Sequence, residues 1–193
     1  MEQTNTSKIL SYDSQQLEYA QSKWYVLFVR SNQEKRVALH LRDREVEHFL
    51  PAYESVRQWR DRKVKLLNPL FPGYVFVRLP LTERLRAISV PNVVNLVGTR
   101  DIPSVISDEE IDWIKRGIES GSARPESHLK AGSRVVIKAG PMAGMEGILL
   151  RTQNSTRILI SLNSISRAFT VEVDADLVEA TSTTPAFRQR LLT

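Results

Sequence analysis

The sequence predicts an α+β fold in two small domains, and three observations carry that prediction. The N-terminal half has a strand-helix-strand-strand-helix-strand order. Beyond about residue 130 the texture changes to short alternating strands and glycine-rich turns. The composition, 41% apolar and 25% charged over 193 residues, is close to globular averages and can fill real cores.

The first strand is expected from Trp24, where the apolar run WYVLFV reads as a strand buried on both faces. Ser31 and Glu34 then have capping-box spacing, and Val37, Ala38 and Leu41 mark one face of a helix running to about Glu47. Phe49 to Pro51 and Val56 to Trp59, followed by Val64 to Leu67, read as strands around a charged tip. Tyr74 to Leu79 is a further strand, entered through the turn Phe71-Pro72-Gly73. A short helix from about Thr82 to Ser89 stops at Pro91, and Val93 to Val97 is again a strand. This order is the ferredoxin-like arrangement, two helices on one face of an antiparallel sheet.

A third helix opens with a second capping box, Ser107 and Glu110, continues through Ile111, Ile114 and Ile118, and ends at Gly121. Residues 121–130 lack apolar periodicity and read as a linker. Val135 to Ile137, the alternating Ile158, Ile160 and Leu162, and the alternating Phe169, Val171 and Val173 then predict a five-stranded barrel of SH3 type. The expected division is a disordered tail over 1–22, a first domain over 23–120, the linker, a barrel over 131–181, and a disordered tail over 182–193.

Several function classes are excluded by what is missing. Cysteine is absent, so disulfides, thiolate metal sites and cysteine nucleophiles are excluded together. No run approaches the roughly 20 apolar residues that cross a bilayer. Met1 to Lys23 is polar and has no apolar core of a secretory signal. The expectation is a soluble cytoplasmic monomer with no membrane partner. His40, His48 and His128 show no metal-ligand spacing, and no phosphate loop, nucleophile elbow or carboxylate pair is present. Neither an enzyme nor a bound metal or cofactor is expected.

The net charge is +5, a modest excess that favours phosphates or an acidic protein surface. It is most concentrated at Arg57, Arg60, Arg62, Lys63 and Lys65, opposed by Asp61 alone. Two readings stand: a solvated hairpin tip, or a basic finger on nucleic-acid backbone.

Two segments resemble a known family. Residues 132–147, GSRVVIKAGPMAGMEG, look like the KOW motif, in which glycines make tight turns between barrel strands. Residues 69–77, PLFPGYVFV, together with Trp24-Tyr25 and the segment Ser89 to Pro91, resemble the N-terminal (NGN) domain of NusG-type transcription elongation factors. The resemblance covers about Lys23 to Thr181. It implies a non-enzymatic transcription elongation or antitermination factor that bridges the nucleic-acid cleft of RNA polymerase. The implied contact is an apolar patch on the clamp helices of the largest subunit, with non-template DNA as a further partner. By position in the motif, the clamp-contacting aromatics are Phe71, Tyr74 and Phe76, with Tyr25 and Phe28 on the neighbouring strand. For each ring the competing role is to fill the domain core.

The family divides into a general factor and operon-specific paralogs of the RfaH and UpxY kind. Phe76 after PGYV and the extra N-terminal tail lean towards a paralog. So does the barrel loop, where the family's Ile-Phe-Gly-Arg is matched by Ser164-Ile165-Ser166-Arg167. The change puts contact with Rho in doubt and leaves Ile165 and Arg167 as candidates to contact a ribosomal protein. The alternatives are the general factor and a KOW-type RNA- or ribosome-binding module. Six bases against five acids between His128 and Thr181 count against the RNA-binding module.

Overall fold

A computed structural model of the chain describes residues 17, 19–59, 62–99, 102–126, 134–151, 156–162 and 165–180. The chain divides into two units, Met1–Asp112 with Asn163–Ile165, and Trp113–Leu162 with Ser166–Thr193. Of the expected N-terminal tail, Leu17, Tyr19 and Ala20 have helical backbone and are exposed; residues 182–193 lie outside the described residues.

In the first unit, strand β1 (Lys23–Val29) leads into helix α1 (Glu34–Asp43), strand β2 (Glu47–Phe49) and a hairpin of β3 (Ala52–Trp59) and β4 (Arg62–Pro69). Strand β5 (Tyr74–Leu79), helix α2 (Arg84–Ile88) and strand β6 (Val93–Leu96) follow. The main sheet has the order β2-β5-β1-β6 and is antiparallel throughout. This is the expected ferredoxin-like arrangement, with β3 and β4 paired only to each other. A short ribbon of β7 (Gly98–Thr99) and β8 (Ile102–Pro103) comes next.

The packing rests on strand alternation. Tyr25, Leu27 and Val29 of β1 and Val75, Val77 and Leu79 of β5 form one core with Val37 and Leu41 of α1 and Ala87 of α2. The antiparallel register pairs Tyr25 with Val77 and Leu27 with Val75, so these side chains share a face. Each such aliphatic side chain contributes on the order of 1.5–3 kcal/mol by leaving water.

Two local expectations fail here. Helix α1 ends at Asp43 rather than Glu47, because Glu45 turns to φ 55° and Val46 leaves the helix to join the core. The Ser31–Glu34 capping box does not form either. Gln33 is the N-cap and makes no side-chain cap bond, while the Glu34 carboxylate accepts from the Gly73 amide instead.

Helix α3 (Asp108–Glu119) begins in the first unit and ends in the second. Its capping box is made as expected: the Glu110 amide donates to Ser107 Oγ at 3.1 Å, and the Ser107 amide donates to Glu110 Oε2 at 2.9 Å. In the second unit its last turns lie on the sheet, where a Cβ added at Gly117 would come within 3.1 Å of the Phe169 ring.

The second unit's described strands are β9 (Arg124–Glu126), β10 (Arg134–Ile137), β11 (Glu146–Arg151), β12 (Thr156–Leu162), β13 (Arg167–Val173) and β14 (Val178–Ala180). They form one antiparallel sheet in the order β14-β10-β11-β12-β13-β9. The expected α+β class holds, with one strand more than expected. That strand, β9, corrects the expected linker over 121–130: Ala123 is buried and Phe169 pairs with Pro125. Proline and small polar residues read as linker in the sequence, yet an edge strand tolerates proline because one side of its ladder is unpaired. Residues 127–130 lie outside the described residues. Strand β11 approaches β12 closely, since a Cβ at Gly147 would stand 2.4 Å from Ile158 and 2.5 Å from the Leu159 carbonyl oxygen.

Candidate functional site

The sheet face turned away from α1 and α2 is aromatic. Side chains alternate, so the residues between the core positions face the other way: Val26 and Phe28 on β1, Tyr74 and Phe76 on β5. The register places Val26 opposite Phe76 and Phe28 opposite Tyr74, and Phe49 of β2 opposite Phe76. Three ring contacts run across this face. Phe49 and Phe76 have centroids 6.1 Å apart, Phe71 and Phe76 5.9 Å, and Phe28 and Tyr74 5.7 Å. Such tilted and edge-on pairs add to the energy of area burial alone.

Exposure is graded across the face. Phe76 is fully buried and Phe71 is only 2% exposed, whereas Tyr74 is half-buried and Phe28 is 40% exposed. Phe28 sits where the pairing of β1 with β6 shifts register between Phe28 and Val29. Bulges of this kind twist a strand and re-aim a side chain.

The opposite end of the face is polar. Trp24 Nε1 donates to Asp108 Oδ1 at 3.1 Å, and the Arg78 guanidinium lies 3.8 Å from Asp108 and 4.0 Å from Glu47. The Trp24 carbonyl accepts from the Ile106 amide at 2.9 Å, which pins the approach to α3 against β1. The open apolar end and the closed polar end therefore belong to one surface.

Of the expected aromatic anchors, Phe28 and Tyr74 reach solvent together. Three expectations are corrected. Tyr25 is 1% exposed and belongs to the helix-facing core, because it is three residues from Phe28 and so points to the other side of the strand. Phe71 and Phe76 are on the aromatic face but buried, their rings packed on one another and, for Phe76, on Phe49. They support the surface from beneath. Phe49 carries no local signal for this role; its place directly opposite Phe76 follows from the strand register alone.

The β3–β4 hairpin carries the basic residues. Arg62, Lys63 and Lys65 are exposed, and Lys65 makes an ion pair with Glu54 at 3.3 Å. Arg57 pairs with Val64 in the ladder; its side chain, and Arg60 altogether, lie outside the described residues. Val56, Leu66 and Leu67 of the same hairpin are exposed apolar side chains, and Lys35 of α1 donates to the Leu67 carbonyl at 2.8 Å.

Further along the chain Ile165 is buried and Arg167 half-buried. This corrects the expectation of an open apolar anchor at Ile165: an aliphatic side chain gains by leaving water, and this one has left it. Ser166 has φ 51°, a left-handed conformation that glycine adopts at less cost than serine. Ser164 lies outside the described residues. Among the described residues no helix is long and apolar enough to cross a membrane.

Comparison with known proteins identifies the family. Residues 22–115 match the family model described as "NusG: Transcription termination factor nusG". The chain is 30% identical over 177 residues to the transcription termination/antitermination protein NusG of Escherichia coli (strain K12), covering 84% of this chain and 98% of that protein. It is equally similar to the protein of the same name from Vibrio cholerae serotype O1, covering 97% of it. Among solved structures, one described as "Domain interaction in Thermotoga maritima NusG" superposes with a TM-score of 0.56 at 23% identity. That match spans 84% of this chain and 98% of that one, and it supports the fold. By identity and coverage together, this chain belongs to the NusG family.

Proposed function

We propose that the chain is a transcription elongation and antitermination factor that binds the clamp helices of the largest RNA polymerase subunit and favours processive elongation. The single observation that carries the reading is the Phe28–Tyr74 pair. It forms the open end of an aromatic sheet face whose remaining rings are locked beneath it. Large, rigid aromatic side chains are the usual anchors of protein interfaces, because they bury much area for little entropy, and each can contribute about 2 kcal/mol or more. The names of the relatives, termination and antitermination proteins, agree with this use. The surface offers a binding face rather than a reaction centre.

Binding of the full chain to core RNA polymerase tests the proposal. Phe28→Ala with Tyr74→Ala is expected to weaken it on the order of a hundredfold. Unchanged affinity in this folded double variant would sink the reading.

The exposed bases of the β3–β4 hairpin, Arg62 and Lys63 foremost, fit a second contact with nucleic-acid backbone, non-template DNA among the candidates. We further read the chain as an operon-specific member of the family. The Ser164-Ile165-Ser166-Arg167 loop supports this, with no phenylalanine to offer and its isoleucine withdrawn from solvent. A gene at the head of a long polysaccharide operon would agree; a gene beside those for the translocase and the ribosome would make it the general factor.

A further inference from the structure

Glu34 is a buried acid that takes no part in capping its own helix. Its Oε1 accepts a hydrogen bond from the Gly73 amide at 2.7 Å, across 39 residues of sequence. The carbonyl of the same glycine accepts from the Val29 amide at 2.8 Å. Gly73 is therefore held on both sides, by α1 through its N–H and by β1 through its carbonyl. The turn it closes is tight, with the Tyr74 amide donating to the Phe71 carbonyl at 3.1 Å and Gly73 at φ 82°.

This turn lies under the Phe28–Tyr74 pair. A Cβ added at Gly73 would stand 3.4 Å from Cε2 of Phe28, so the Phe28 ring lies against the glycine backbone. Tyr74, the next residue, carries the partner ring at 5.7 Å. One carboxylate thus fixes the peptide that supports one ring and launches the other.

We propose that Glu34 is a positioning residue for polymerase binding: its carboxylate locks the Phe71-Pro72-Gly73 turn and so presets the Phe28–Tyr74 pair in its docking geometry. The inference rests on the polymerase-docking reading above. Holding rings in place before encounter removes an ordering cost that binding would otherwise meet. Without its acceptor the Gly73 amide is a buried donor left unsatisfied, and the turn must shift to find another partner.

The test compares Glu34→Ala, Glu34→Gln and the Phe28→Ala/Tyr74→Ala double variant in the full chain. Affinity for core RNA polymerase is measured per folded molecule, with the folded fraction taken from urea titrations. NMR follows the Phe28–Tyr74 ring contacts and the methyl groups of Val37 and Leu41. Glu34→Ala is expected to weaken binding about tenfold and to shift the two rings while the α1 methyls stay in place. Glu34→Gln keeps an acceptor oxygen and should restore both. If Glu34→Ala fails to fold, Glu34→Asp, with its oxygen withdrawn by one methylene, serves as the probe and should show the same pattern. Full affinity per folded molecule in the alanine or aspartate variant, or rings that do not move, would overturn the positioning role. If the aromatic double variant also binds normally, the docking reading falls with it; if that variant alone loses binding, only the role of Glu34 falls.

Discussion

The two faces of the N-terminal sheet are built from the same two strands, yet they are sealed to different degrees. On the helix side, Tyr25, Leu27, Val29, Val75, Val77 and Leu79 are all buried and interlock with α1 and α2. On the other side, burial falls away from Phe76 to Phe28. Alternation along β1 and β5 therefore gives one set of residues to the sealed core, while the set between them includes Phe28 and Tyr74, the two rings proposed for docking. Neighbouring positions can carry opposite consequences when changed.

The largest effect should come from the sealed face. Leu27→Ala is expected to cost about 2–5 kcal/mol in urea unfolding, and to affect polymerase binding only through the fraction folded. The comparison breaks if Leu27→Ala weakens binding per folded molecule as strongly as loss of the aromatic pair. Phe28→Ala with Tyr74→Ala should show the reverse balance, losing no more than about 2 kcal/mol of stability, because one ring is exposed and the other half so. The smallest effect belongs to the hairpin, which is part of neither face. Arg62→Ala with Lys63→Ala should leave unfolding within about 0.5 kcal/mol. It should flatten the salt dependence of binding to an elongation complex by about one unit of log-log slope per base. An unaltered slope would leave these bases as a solvated tip.

How much of this was legible can be judged from particular residues. The strands at Trp24 and Tyr74 and the Ser107 capping box rest on local signals, and local signals suffice for them. The faces were harder. In β1 every position from Trp24 to Val29 is apolar, so periodicity could not say which side meets the helices. Strand parity alone does separate Tyr25 from Phe28, which lie three positions apart and so on opposite faces. Ser31 and Glu34 have the same spacing as Ser107 and Glu110, yet only the second pair forms a box. What decides between them is the Gly73 amide, distant in sequence and therefore invisible to a local rule. The strand at Arg124 was hidden for a related reason: its pairing with β13 is set by a tertiary neighbour, not by its own composition.

That added strand also bears on how the protein behaves in concentrated solution. A sheet that stopped at β13 would present a long row of free donors and acceptors to any passing copy. Here the ladder closes on a three-residue segment whose middle position, Pro125, has no hydrogen to give. A short margin interrupted in this way is a poor template for further stacking.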